Sequence, residues 1–322
     1  MKQKIIMIVS ILLFLAFLAW MISDLFKEDA GEQKNPYDYG MQTLRNLDSI
    51  PSYTEIPPFK PALEEITYIA TDADGKIFIG GKRGVEILTS YGKTLNRFSI
   101  PGYATCITRL TDGNLAIGME GHLEIWHPDG SRLAVWEGDD TASLITSVAA
   151  TPDMIYTADA GNKFVYQHDM KGNLISKIGE KDPARNIPGF VIPSPFFDLA
   201  ISPARDLWVV NPGRHQFEKY THDGSLVTTW GEASLTVEGF TGCCNPAHFT
   251  FLDDGAFVTS EKGLERIKVY NADGSFRCLV AGAGSFDEGT KGLDLAAGLE
   301  GRILVLDPSR NQIRVFLPNE KN

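Results

Sequence analysis

Residues 198–231 read DLAISPARDLWVVNPGRHQFEKYTHDGSLVTTWG. Four short runs that can pair as strands are separated by three polar turns: SPARD, NPGRH and HDG. Asp223-Gly224 between two alternating runs is a hairpin signal, because glycine takes positive φ at no steric cost. The same turn recurs as Tyr91-Gly92, Asp129-Gly130, Lys171-Gly172 and Asp273-Gly274, so that successive copies stand 38, 42, 52 and 50 residues apart. Four strands per unit at such a period describe the blades of a β-propeller.

Working outward, the units fall at about 64–103, 104–142, 143–193, 194–246, 247–292 and 293–318. The last has three runs before the chain stops, which would leave an open edge. YTEIPPF (53–59) resembles RFSIPGY (97–103), the outer strand of the first unit. The N-terminal segment is therefore expected to complete the last blade. The sequence thus predicts an all-β, six-bladed propeller of four-stranded blades over 51–322.

Residues 5–26 (IIMIVSILLFLAFLAWMISDLF) are almost wholly apolar, and the uncharged run from Ile5 to Ser23 is long enough to span a bilayer. Lys2 and Lys4 favour a cytoplasmic N-terminus. No small-x-small cleavage signal follows, so 1–26 is expected to be an uncleaved signal anchor. Residues 27–50 read as a tether. The expectation is a single-pass cell-membrane protein with an extracytoplasmic propeller, periplasmic or extracellular. A net charge of −11 argues against a nucleic-acid partner.

Units such as 198–231 resemble NHL repeats, and the resemblance extends over most of 64–318. The segment GCCNPAHFTFLDDGAFVTSEKGLERIKVY (242–270) looks like those of an uncharacterised bacterial membrane-anchored NHL subgroup. The resemblance implies a six-bladed architecture in a group that includes binding modules. Related six-bladed propellers include a zinc-dependent amidating lyase and calcium-dependent lactonases.

Extra length falls between the last strand of one blade and the first of the next, at 180–194, 233–247 and 282–292. These inserts should open on one face and decorate it for binding, over blades four to six. The first residue of each innermost strand follows them and should line the central channel. Counting along the units gives Tyr68, Cys106, Thr146, Asp198, His248 and Asp294. Asp198, His248 and Asp294, with Cys106, could hold a divalent metal. The competing expectation is a wet channel in which they hydrogen-bond one another. Arg214 and His215, on a turn of the same face, are candidates to contact an anionic ligand.

Cys243-Cys244 is the least ordinary local sequence. A structural disulfide is the first expectation, either between the two or with Cys278 or Cys106. A redox or metal role is the second. The turn residues Asp159, Asn211, Glu261 and Asp307 read as caps for loop backbone. Trp126, Trp136, Trp208 and Trp230 read as packing between blades.

No set of residues has the spacing of a catalytic motif. The sequence therefore favours a membrane-anchored binding or scaffold module that takes a protein or small ligand on the insert face. The alternatives are a metal-dependent lyase or hydrolase at the channel, and a redox accessory protein using Cys243 and Cys244.

Overall fold

The computed structural model of the chain describes residues 13–19, 52–138 and 141–319. The chain divides into two compact units, Met1–Met41 and Gln42–Asn322. In the first, a short helix covers 13–19 (LFLAFLA). Among the described residues no helix is long and apolar enough to cross a membrane. The rest of the span expected over 5–26, and the tether over 27–50, lie outside the described residues.

The second unit is a six-bladed β-propeller. It opens with β1 (Tyr53–Phe59). Blade one follows as β2 (Ile66–Thr71), β3 (Ile77–Leu88) and β4 (Thr94–Tyr103); blade two as β5 (Cys106–Arg109), β6 (Leu115–Gly118), β7 (His122–Trp126) and β8 (Arg132–Glu137). Blade three is β9 (Ile145–Ala150), β10 (Met154–Asp159), β11 (Phe164–Asp169) and β12 (Leu174–Ile178). Blade four is β13 (Leu199–Ile201), β14 (Leu207–Asn211), β15 (Gln216–Tyr220) and β16 (Leu226–Trp230). Blade five is β17 (His248–Phe251), β18 (Phe257–Ser260), β19 (Ile267–Tyr270) and β20 (Phe276–Ala281). Blade six is β21 (Leu295–Ala297), β22 (Ile303–Asp307) and β23 (Gln312–Pro318), completed by β1.

All pairs between these strands are antiparallel, and each innermost strand packs on the next until β21 meets β2 and closes the ring. Blade one departs from the expected four separate runs. Its two middle runs continue as one element, β3, through Gly80-Gly81-Lys82-Arg83-Gly84, whose first half pairs with β2 and second half with β4.

The expected closure is present. β1 pairs with β23 in the register Tyr53↔Pro318 to Ile56↔Val315. Pro57 and Pro58 cannot donate to a ladder, and an outermost strand is where such residues are tolerated. Arg314 on β23 binds both oxygens of Glu55 on β1, at 2.7 Å each.

Burial follows position within a blade. Middle strands such as LWVVN (β14) and ILVLD (β22) are buried throughout, because neighbouring blades cover both faces. Outer strands are mostly exposed, with partly buried positions alternating in β8. The core accordingly lies between blades, in apolar clusters such as that of Ile77, Ile79, Leu304 and Val315 between blades one and six. The turn glycines lock these interfaces. Gly172 has φ 88° and lies so close to Trp136 of the preceding blade that a Cβ would stand 2.6 Å from the indole. Gly92, Gly130 and Gly274 meet Phe59, Phe98 and Trp230 in the same way. Trp136 and Trp230 thus pack between blades, as does Trp208, whose ring meets that of Phe257 at 5.0 Å.

Candidate functional site

At the start of each innermost strand the chain leaves a connector and enters the ring. In blades four, five and six this places Asp198, His248 and Asp294 side by side. One ligand atom from each lies within 4.8 Å of the others. His248 Nδ1 is 3.6 Å from Asp198 Oδ2 and 3.5 Å from Asp294 Oδ1, and all three side chains are at least nine-tenths buried.

The backbone fixes both carboxylates. Asp198 accepts from Leu199 N and from Phe249 N of the next blade, both at 2.9 Å. Asp294 Oδ2 accepts from Ile69 N of blade one at 2.8 Å. Each acid therefore bridges two blades and keeps its position without a cation. His248 Nδ1 is different: it is buried and has no hydrogen-bond partner. The edges of Tyr68 and Phe196 flank its ring, at centroid distances of 5.6 and 5.5 Å.

Electrostatics follow from this packing. Burial pushes the Asp294 carboxyl up, to about 7, with Asp198 adding to the rise and His248 opposing it. Burial disfavours the imidazolium of His248, but the two carboxylates outweigh it and raise the ring above the usual histidine range. A proton or another cation is favoured between the acids.

Two cavities meet at this point. Toward the connectors, one of about 340 Å³ is lined by Ile66, Tyr68, Tyr103, Leu144, Phe196 and His248, among others. Deeper in the channel, one of about 240 Å³ is lined by polar groups that include Asp198, Asp294, Thr108 and Ser147. The cavity on the insert face is thus central and drawn from all six blades, rather than lying over blades four to six.

Cys106 does not join the trio. Blade two stands across the ring from blade five, and the Cys106 thiol lies against Gly118 and Thr105. Tyr68 fills that side, its hydroxyl donating to Thr146 O on blade three. Arg214 and His215 do share the insert face, but away from the cavity. His215 Nε2 bonds Gly242 O at 2.6 Å, and Arg214 stands beside Glu218 and Tyr220.

All four cysteines stand unbonded in the structure. Cys243 and Cys244 Sγ are 3.2 Å apart. Cys106 is in the channel wall and Cys278 on outer strand β20, so neither meets the pair.

The turn residues act as the sequence suggested, pinning connectors at their entry to the ring. Asp159 accepts from Leu144 N, Asn211 from Val191 N and Glu261 from Thr241 N, each at 2.9 Å. Sequence reasoning missed Phe196 and Lys262. Phe196 covers His248, and Lys262 Nζ lies 4.5 Å from the Phe196 ring centroid and donates to Ser194 Oγ at 2.7 Å. Their only signal was nearness to an insert or to a capping turn.

No protein-family model matches the chain, and no curated protein does. Solved structures of similar fold include a streptogramin B lyase (12% identity, TM-score 0.55, covering 83% of this chain and 98% of that one). Virginiamycin B lyase from Staphylococcus aureus is also similar (13% identity, TM-score 0.54, covering 84% and 89%). So is a protein of unknown function from Bacteroides caccae (14% identity, TM-score 0.53, covering 70% and 85%). A catalytically inactive histidine-to-alanine variant of the Staphylococcus lyase with quinupristin matches equally well, at 14% identity and a TM-score of 0.54. At these identities the likeness is one of fold.

Proposed function

We propose that this chain is an NHL-type propeller, tethered outside the cytoplasmic membrane by its N-terminal segment, that binds a small and largely apolar molecule in the insert-face cavity. The observation that carries the reading is the cavity of about 340 Å³ with His248 in its wall. Its size and its mix of aromatic walls with a few polar groups, His248, Thr67 and Lys291 among them, suit a small-molecule site. Tyr68, Tyr103 and Phe196 would hold the apolar body, and the His248 ring would orient one polar group. Ligand-observed NMR of the full chain with an apolar fragment set tests this. Fragments should bind and be lost in Phe196→Ala and in Lys291→Trp, which narrows the mouth. Binding that survives both changes would move the site elsewhere.

A second reading is favoured by one specific observation, the unpartnered Nδ1 of His248 between two buried carboxylates. Ligands around a tetrahedral zinc at about 2.0–2.1 Å stand roughly 3.3 Å apart, close to the two separations found. A divalent metal held by Asp198, His248 and Asp294 would polarise a carbonyl or activate water, as in a lyase or hydrolase. That a lyase of the same fold loses activity when a histidine becomes alanine is compatible with this reading. Elemental mass spectrometry of the full chain separates the two. Near-stoichiometric metal, lost in His248→Ala and Asp198→Ala, selects the second reading; a metal-free protein leaves the first.

A further inference from the structure

The loop 241–246 carries two thiols in a frame that holds them on both sides. Thr241 N and Oγ1 donate to Glu261 Oε2 at 2.9 and 3.2 Å. Gly242 O is bound by His215. Asn245 Nδ2 donates to Thr241 O at 2.6 Å and to Lys262 O at 2.9 Å, and its Oδ1 accepts from Lys262 N at 3.0 Å. Between these anchors Cys243 is exposed, Cys244 is buried, and their sulfurs are already 3.2 Å apart. A loop without a redox or binding role has no evident need to fix two neighbouring thiols so closely.

We propose that Cys243 and Cys244 form a reversible dithiol–disulfide couple that exchanges with external disulfides on the insert face. The charge arrangement suits it. Burial would raise the Cys244 thiol, but Lys262, Ser194 and Cys243 outweigh it and hold Cys244 below the usual thiol range. Cys243 is raised, chiefly by its hydrogen bond to Cys244. The reactive form is therefore a Cys243 thiol donating to a Cys244 thiolate.

Exchange proceeds in two displacements. Cys243 passes its proton to Cys244 and attacks a disulfide RSSR, forming Cys243–S–S–R and releasing RS⁻. Cys244 then gives up that proton to solvent and attacks Cys243 Sγ, closing the Cys243–Cys244 bond and releasing the second RS⁻. The protein loses two electrons, RSSR gains them, and one proton is released. Adjacent Cα atoms across a trans peptide are about 3.8 Å apart, shorter than the usual 4.4–6.8 Å of disulfides. Such a bond is strained and readily reduced, so the couple runs in both directions.

The test is incubation of the full chain with oxidised glutathione, followed by alkylation and mass spectrometry of the 233–262 region. Wild type is expected to lose two alkylatable thiols and two hydrogens while retaining no glutathione, and to recover both thiols with reduced glutathione. Cys244→Ser is expected to stop at one glutathione on Cys243. Cys243→Ser is expected to react at least tenfold more slowly, since the remaining thiol is buried. Glutathione that stays on Cys243 in the wild type, or a pair that reacts no faster than Cys278, would overturn the proposal. Cys243→Ser alters a loop surface and Cys244→Ser exchanges one buried atom, and both can be checked for an unchanged melting temperature.

Discussion

Replacing Glu261 with Gln removes one negative charge from a place water does not reach. Glu261 is fully buried and lies 2.9 Å from both Arg266 Nη2 and Lys268 Nζ, which are themselves almost completely buried. Burial opposes its ionisation, but Lys268 and Arg266 outweigh that and hold the carboxyl below the usual range. The change withdraws a shared negative charge from two buried cations and turns an amide NH₂ toward one of them. Breaking a buried pair by removing one partner costs about 3–5 kcal/mol. In a domain of this size that corresponds to a fall in melting temperature of roughly 6–20 °C. Thermal denaturation of the full chain followed by circular dichroism measures it. Hydrogen exchange should show amides 241–247 losing protection first, because Thr241 N bonds to the same carboxylate. Glu65→Gln is the control. Glu65 pairs with Lys82 at 2.6 Å, closer than any contact of Glu261 with its cations, but in solvent. Its loss should leave the melting temperature unchanged. A fall of less than roughly 4 °C for Glu261→Gln, about the effect of 1 kcal/mol, would refute the reasoning.

Other outcomes follow from the same packing. Asp294 and His248 both bind protons more tightly in the folded chain, so their contribution to stability should decline as pH rises, from about 4 through 7 for Asp294 and above about 6.5 for His248; melting temperatures from pH 4 to 8 should fall less steeply in Asp294→Asn than in wild type. Gly172→Ala meets Trp136 at 2.6 Å, whereas Gly224→Ala meets Ile178 only at 3.5 Å. Both pay for positive φ, about 1–2 kcal/mol, but only the first adds an overlap of about 1–3 kcal/mol, so chemical denaturation should rank Gly172→Ala as the less stable. Arg314→Met removes the guanidinium that binds Glu55 and lies over the Phe286 and Phe316 rings; hydrogen exchange should show faster exchange of 53–59 with the other outer strands unchanged.

How much of this was legible in the sequence depends on the range of the interaction. The turn glycines, the closure by 53–59 and the capping role of Asp159, Asn211 and Glu261 are local or periodic, and could be read from residue type and spacing. Asp198, His248 and Asp294 could be aligned because each follows a connector at the same register. That Cys106 would not join them was not legible, since it depends on ring geometry. Blades four to six are neighbours, whereas Cys106 sits across the channel beyond Tyr68. The free state of Cys243 and Cys244, and the Lys262–Phe196 contact beside them, arise from the folding of two connectors against each other. Nothing periodic marks those partners. His168 and His222 likewise pack against Trp136 and Tyr156 of other strands, partners that no local pattern marks.

The joining of β1 to β23 has a consequence for how the chain is made. Tyr53–Phe59 emerges from the ribosome before any blade, yet its partner β23 is the last strand of the propeller to be made. Five blades can assemble in order as they appear, each resting on the one before. The sixth cannot be finished until β23 has been made. Until then the earliest strand stays unpaired and the ring stays open, with raw edges on both sides of the gap. A chain interrupted before β23 would have nearly all its core and no seal, and would present open strand edges to quality-control proteases.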